Sequence, residues 1–500
     1  MILFTLIIVL ISVILVYNFY WKRKNLPPGP VPLPLFGNLL EIEAKPPGYD
    51  AYIDWKNKYG PIYTYWIGEK PVVAIADYKL MKETIIDDGD SYVDRDFFND
   101  FFNILRKNTF GLTSLEGSDW QEQRRFALKT FHRLGVGKNI MQEKMFIELS
   151  RMFEELDEEM TGKSSSEINI TPHIEICVAS IIYSILFDYQ ITKERKQDYY
   201  LMRDVVYEYT ELFGNWAIQM IMGRPYIFKD LPFFKNYMQR IHNVYWKMSD
   251  YVEKMAKAAT INYKQDLDSD PNNYVTAFMR QHDQYGGEKG YNMGNLNSIL
   301  VDLYIAGQDT TINTINWGII YLLYEPDVIA KMQEEMDSSI GDDRPIGIDD
   351  GNKLPYTSAV MKEIQRLANV MPQNIARRNT RDLVVNGYML PKGTTIMPVV
   401  SAVLYDEEIF PDHLRFDPTR FLDEHGKLKR VDELVPFSVG RRMCLGNEMA
   451  KMEIFLIVAN LFYRYDLKMP QSGKKPSLRK SFGLTTKPEP FTVSISKRMH

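Results

Sequence analysis

The residues best equipped for chemistry lie in one short run, Pro436-Phe437-Ser438-Val439-Gly440-Arg441-Arg442-Met443-Cys444-Leu445-Gly446. A single cysteine at a loop–helix junction is ordinarily a buried, inert thiol. Cys444 differs in its company. A helical pattern starts near Leu445, and the amides and positive dipole end of a helix N-terminus stabilise a thiolate. Gly440 and Gly446 carry no side chain that would hold the backbone away from a flat ring. Arg442 offers a cation to carboxylates on such a ring, and Phe437 an aromatic face that packs on it and restricts water. These types and spacings are what a cysteine ligand to heme iron requires.

Two further constellations are weaker singly. Ala306-Gly307-Gln308-Asp309-Thr310-Thr311 sits inside the apolar, helix-length stretch 299–323. A glycine followed by threonine hydroxyls can bend a helix and free a carbonyl, making a groove for O2 and water. Glu363 and Arg366 lie three apart and so share one helix face. Taken alone, such a pair is ordinary solvated surface.

The run Phe437-x-x-Gly440-x-Arg442-x-Cys444-x-Gly446 resembles the heme-binding signature of the cytochrome P-450 superfamily, with every signature position filled. That resemblance implies heme b as cofactor, Cys444 as its axial thiolate and O2 as co-substrate, the thiolate donating electron density that promotes O–O cleavage. It makes Asp309 and Thr310 the catalytic proton relay, Thr310 bonding the activated oxygen. It turns Glu363 and Arg366 into a buried structural network completed by Arg420, from Phe416-Asp417-Pro418-Thr419-Arg420-Phe421, which supports the cysteine loop. Trp120 and Arg124 of Trp120-Gln121-Glu122-Gln123-Arg124 match the family's Trp-x-x-x-Arg, whose side chains reach a heme propionate. Arg377 falls where relatives bind the other propionate, with Arg378 its neighbour and rival. The likeness is to microsomal animal enzymes of the xenobiotic- and lipid-oxidising branch, through Pro391-Lys392-Gly393-Thr394 and Pro436-Phe437-Ser438.

Elements that position these groups can be read around them. Residues 2–20 are uncharged and apolar, and a helix of that length spans roughly 28 Å, close to a hydrocarbon core of about 30 Å. Tyr20 and Trp21 suit the interface, and Lys22, Arg23 and Lys24 then place the remaining chain on the cytosolic side. Against a cleaved signal stand the length of the run and the missing basic n-region. The expected organisation is a transmembrane anchor over 1–21, a proline-stiffened spacer over 22–38 and a catalytic domain over 39–500. On the cytosolic side, Asn169-Ile170-Thr171 is silent as a glycosylation site.

Beyond the spacer, β-like runs at Ile62–Ile67 and 71–75 predict a small antiparallel sheet, and 118–331 reads as mostly helical. A hairpin is expected about Asn386-Gly387, a late helix over 445–464 and a last strand over 491–495. Residues 161–167 and 268–273 read as surface loops. The fold class is mainly α with minor antiparallel β, a cytochrome P-450 fold behind a membrane helix; no βαβ alternation supports a nucleotide fold. Two cysteines exclude a disulfide framework and suit a reducing compartment, with Cys177 a core thiol in an apolar run. A net charge of −5 argues against a nucleic-acid partner.

By the same resemblance the substrate-contact regions are 97–110, 207–234, 304–306, 370–375 and 481–484. Their phenylalanines (97, 98, 101, 102, 213, 228, 233, 234 and 482) favour a lipophilic substrate. No flavin or nicotinamide motif is visible, so electrons are expected from NADPH-cytochrome P-450 reductase, with cytochrome b5 as a second donor. Lys129, His132, Arg133, Lys427, Lys429, Arg430 and Arg441 form the basic face that would steer such a partner. The expected setting is the endoplasmic reticulum membrane. A heme sensor, or an O2-independent isomerase or dehydratase acting on a peroxide, stands as the alternative; neither needs the Asp309–Thr310 relay.

Overall fold

Asn386 and Gly387 both take positive φ, 48° and 82°, as a two-residue hairpin turn matched to strand twist demands. The chain is described by a computed structural model over residues 2–498, except 46, 48, 96–98, 108–110, 163–164, 262, 264–269, 341–343, 373, 472 and 482. Phe97, Phe98 and Phe482, and parts of the two expected loops, thus lie outside the described residues.

Nine strands are described: β1 (Ile62–Ile67), β2 (Lys70–Ile75), β3 (Ser166–Ile168), β4 (Arg377–Arg378), β5 (Leu383–Val385), β6 (Tyr388–Leu390), β7 (Thr395–Pro398), β8 (Tyr465–Lys468) and β9 (Val493–Lys497). They form a sheet in the order β1-β2-β7-β4, a second in the order β3-β9-β8, and the β5–β6 hairpin. All pairings are antiparallel except β2 with β7, where Val73 opposes Ile396 in parallel register. β3 corrects the reading of 161–167 as loop throughout: Ser166–Ile168 pairs with β9, which buries Ser166 and Ile168 on one face.

Helices make up most of the rest. At the centre runs Met293–Tyr324, 32 residues and so roughly 48 Å long. It is buried along most of its length and apolar on nearly all sides, as a helix enclosed by others must be. It packs against Thr171–Phe187, Pro355–Ala368 and Asn447–Arg464. Two glycines allow that closeness. A Cβ at Gly307 would come within 2.6 Å of Ile182, and one at Gly318 within 2.8 Å of Ile364. Gly307 therefore serves close helix packing, and the helix continues unbroken through it.

The helix Ile2–Phe19 exposes nearly all its apolar side chains. With its following turn it is long and apolar enough to cross a membrane, with mean hydropathy 2.8 over its most apolar window. It is held to the globule at its end: Asn18 Nδ2 donates to Pro32 O, and Lys22 pairs with Glu69 at 2.8 Å. The proline run is docked too, Thr64 N donating to Pro28 O at 2.8 Å, and Gly29 lying so close to Thr64 that no side chain fits.

Candidate active site

Cys444 ends a tight loop whose backbone folds back on itself, Met443 N donating to Gly440 O and Cys444 N to Phe437 O at 2.9 Å. Ser438 and Gly440 sit at φ 63° and 70°. Gly440 is obligatory twice over, because a Cβ there would meet the Ile85 carbonyl oxygen at 2.2 Å. The close approach it serves is thus to the protein's own backbone. Gly440→Ala should cost about 2–4 kcal/mol, adding left-handed strain to a clash that backbone must absorb; a denaturation midpoint equal to the parent's would refute it. At Gly446 a side chain would meet no atom within 4 Å, so the globule itself leaves that position open.

The helix Asn447–Arg464 begins just after Gly446, two residues later than the sequence pattern indicates. Burial pushes the Cys444 thiol up from its ordinary value, opposed by the Gly446 N–H and by Arg124 and Lys451. The side chain is exposed, although protein crowds close enough around it for burial to dominate that shift.

Around this loop gather four guanidinium groups. Arg124 donates to Met443 O at 2.8 Å. Arg442 donates to Val93 O and Leu115 O and lies 3.8 Å from the ring centre of buried Trp120. Arg377 donates to Val439 O at 2.6 Å and Ser438 Oγ at 3.1 Å, while its Nε and Nη1 are buried with no hydrogen-bond partner. Arg95, which sequence reasoning missed, donates to Ile375 O and Ala376 O and also leaves Nε without a partner. Arg378 turns elsewhere, to Glu116, so Arg377 is the member of the pair that joins the cluster. Burial first, and then mutual repulsion, pushes Arg442 down to about 8 and Arg377 well below its ordinary value. Burial and Arg124 push Arg95 to about 10. Crowded, buried cations call for anions.

Behind the loop, Arg366 grips Glu363 with two hydrogen bonds of 2.7 and 2.8 Å, both side chains fully buried. Arg366 also donates to Leu404 O, and Glu363 accepts from Asp417 N. Arg420 approaches Glu363 at 3.4 Å and donates to Pro411 O and Asp412 O. The structure thus brings all three charges together.

Thr310 and Asp309 line a cavity of about 160 Å³. Thr310 Oγ1 donates back to Ala306 O at 2.7 Å. Ala306 is exposed in the middle of an otherwise buried helix because it borders this void. Asp309 is buried, its Oδ2 accepting from Thr485 Oγ1. Of the expected phenylalanines, Phe102 and Phe213 line the cavity. Phe101 packs behind them, whereas Phe228, Phe233 and Phe234 cluster with Trp216, away from the lining. Aromatic content marks a patch that must find apolar company, not which company it finds. A second ion pair, Arg106 with Asp302 at 2.7 Å, also stands in the wall and was not legible in advance. The segment Asn374–Arg377 joins the two regions: Asn374, Ile375 and Ala376 line the cavity, while Asn374 Nδ2 donates to Ser438 Oγ at 2.7 Å.

A mostly helical globule that ties a single-cysteine loop and a cage of arginines to an apolar cavity has the makings of a heme-thiolate protein. The Cytochrome P450 family model matches residues 27–495. Among curated relatives, cytochrome P450 2C3 of Oryctolagus cuniculus is 33% identical, covering 90% of each chain. Cytochrome P450 2C8 of Homo sapiens is 31% identical over 93% of each, and cytochrome P450 2C29 of Mus musculus 31% over 89% of each. The chain belongs to the cytochrome P450 family, in its animal microsomal branch, and is an oxidoreductase of monooxygenase type. The family's cofactor is heme with cysteine-thiolate ligation, used with O2. The residues here fit that group: guanidinium nitrogens of Arg95 and Arg377 without partners suit its carboxylates, and the Cys444 thiol suits its iron.

Proposed function

We propose that the chain is a membrane-anchored heme-thiolate monooxygenase that inserts one atom of O2 into a neutral, lipophilic small molecule. The observation that carries this reading is the arginine cage: Arg95, Arg124, Arg377 and Arg442 converge on the cysteine loop, buried nitrogens of Arg95 and Arg377 have no hydrogen-bond partner, and the crowded charge favours an anion. The two carboxylates of heme b are that anion. Cys444 would then hold the heme iron through its sulfur, as a thiolate. Phe437, Gly440, Gly446 and Trp120 shape the seat, and Glu363, Arg366 and Arg420 brace it from behind. When bound, the heme supplies O2 activation, the overall reaction consuming two electrons and two protons and releasing one water with the hydroxylated product.

The chain's own residues handle the protons. Thr310, anchored by its bond to Ala306 O, keeps its oxygen lone pairs for a donor in the cavity, and Asp309 stands beside it in the same wall. The substrate is apolar because the cavity is, and because its two carboxylates, Asp302 and Asp309, are each faced by a cation from outside the lining or within it. The exposed basic set Lys129, His132, Arg133, Lys427, Lys429, Arg430 and Arg441 supports docking of NADPH-cytochrome P-450 reductase, with cytochrome b5 as a second donor. Residues 1–21 are the single-pass anchor, 22–38 the proline-rich connection and 39–500 the catalytic domain, set on the cytosolic face of the endoplasmic reticulum.

The decisive experiment is the CO-difference spectrum of the reduced protein, followed by NADPH consumption with reductase over a panel of lipophilic compounds. A thiolate-type Soret band without turnover on any compound would favour a sensor instead. Thr310→Ala should leave NADPH oxidation running while product per NADPH falls by roughly tenfold, about 1.4 kcal/mol in the partitioning of one intermediate. Coupling equal to the parent's would remove Thr310 from the relay.

A further inference from the structure

The segment after Arg479 forms a small loop closed by a bridge between Ser481 and Lys487, Ser481 N donating to Lys487 O at 3.1 Å. It is pinned from three directions. Leu484 N donates to Thr210 O and Thr486 N to Val370 O, both at 2.9 Å, while Thr486 O accepts from Trp317 Nε1 at 3.3 Å. Gly483, Leu484 and Thr485 border the cavity. So held, the loop delivers two side chains to one carboxylate. Thr485 Oγ1 donates to Asp309 Oδ2, and Lys487 Nζ stands 3.7 Å from Asp309 Oδ1.

That second distance is informative. It is close enough for charge to act through a poorly screened interior, and too long for a hydrogen bond. Asp309 Oδ1 accordingly has no hydrogen-bond partner although the side chain is only 1% exposed. The ammonium is kept back by its own contacts: Nζ donates to Thr210 Oγ1 at 2.8 Å and lies 4.0 Å from the centre of the Tyr207 ring. Tyr207 in turn donates to Glu175, which Arg203 pairs at 3.0 Å, so the next charges outward are already matched to each other.

We propose that Lys487 is a positioning residue for Asp309: with Thr485 it fixes one carboxylate oxygen and balances the buried charge, leaving Oδ1 without a hydrogen bond of its own and so available to take and pass on a proton. This rests on the reading of Asp309 as part of the relay. A buried carboxylate without a nearby cation would either bind a proton firmly or draw a cation from the cavity. Lys487 removes both outcomes without capping the oxygen that works.

The test uses the heme-loaded full chain and the variants Lys487→Met, Lys487→Gln, Lys487→Arg and Asp309→Asn. Lys487→Gln can still donate to Thr210, so it removes charge with least disturbance. Equilibrium binding of a lipophilic trimethylammonium compound is compared with that of its neutral tert-butyl isostere, without turnover. The ammonium-to-neutral affinity ratio should rise at least tenfold in Lys487→Met and Lys487→Gln, return to the parental value in Lys487→Arg, and stay parental when Asp309→Asn is added to Lys487→Gln. In the same two neutral variants product per NADPH should fall severalfold while KM changes less than twofold. An unchanged ratio in both neutral variants overturns the proposal. If Asp309→Asn alone keeps parental coupling, the relay reading fails instead, and the persisting ammonium preference of Lys487→Gln tells the two failures apart.

Discussion

Serine in place of Cys444 is expected to abolish the thiolate-type Soret band of the reduced, CO-bound protein, and O2-dependent turnover with it. The exchange changes one atom, and the loop has little reason to move. Its turn is held by backbone, through Cys444 N to Phe437 O and Met443 N to Gly440 O, and by Arg124 on the Met443 carbonyl. What changes is the ability to become an anion. Burial already makes the Cys444 thiol harder to ionise, and the Gly446 N–H, Arg124 and Lys451 recover part of that cost. A metal can displace a thiol proton against that resistance. An alcohol in the same enclosure starts many units higher and stays neutral. Cys177→Ser makes the matched control: that thiol lies in the core of Thr171–Phe187, pushed well above its ordinary value by burial, with Glu148 and Glu453 adding to the push. It should keep the full band. A thiolate band surviving in Cys444→Ser would overturn the ligand assignment, whatever the activity.

The contrast between the two cysteines shows where sequence is informative. The Cys444 loop was legible because its parts are consecutive: glycine, arginine and cysteine act through a turn that contains them all. The Asn386-Gly387 hairpin was legible for the same reason. Glu363 and Arg366 declared a shared face by their spacing; its burial came only with the family resemblance, and the structure shows it. Contacts between distant segments left no trace to read. Arg95 reaches carbonyls 280 and 281 positions away, and Thr485 meets Asp309 across 176. Nothing in Lys-Pro-Glu-Pro at 487–490 announces a partner for a carboxylate on the central helix. Gly307 has a use that the sequence could not show, because the Ile182 side chain that needs its missing Cβ lies on another helix. Phe228, Phe233 and Phe234 were apolar enough for the cavity and were taken by Trp216 instead.

Arg366→Met should be the most damaging single change outside the cysteine loop. It leaves Glu363 charged and fully buried, and removing one partner of a buried pair typically costs about 3–5 kcal/mol. The Leu404 carbonyl loses its donor as well, a further ~1–3 kcal/mol when no water can reach it. Against a usual total of about 5–15 kcal/mol, little stability would remain. The expected result is a sharply lower denaturation midpoint and a yield of heme-loaded protein near zero. Removing both charges, as Glu363→Gln with Arg366→Met, should cost less than the two single changes added together, since neither charge is left stranded. Arg420→Met is expected to be milder, roughly 1–2 kcal/mol, a cost nearer to one charged hydrogen bond than to a stranded ion. Its guanidinium is 10% exposed, stands 3.4 Å from Glu363, and leaves the Arg366 bonds in place. The order of the two therefore separates two explanations of why these three charges occur together. If they act as one indivisible unit, Arg420→Met and Arg366→Met lose equal stability. If burial sets the hierarchy, as the geometry requires, Arg366 carries most of the loss and Arg420 only steadies the Pro411–Asp412 turn beside it.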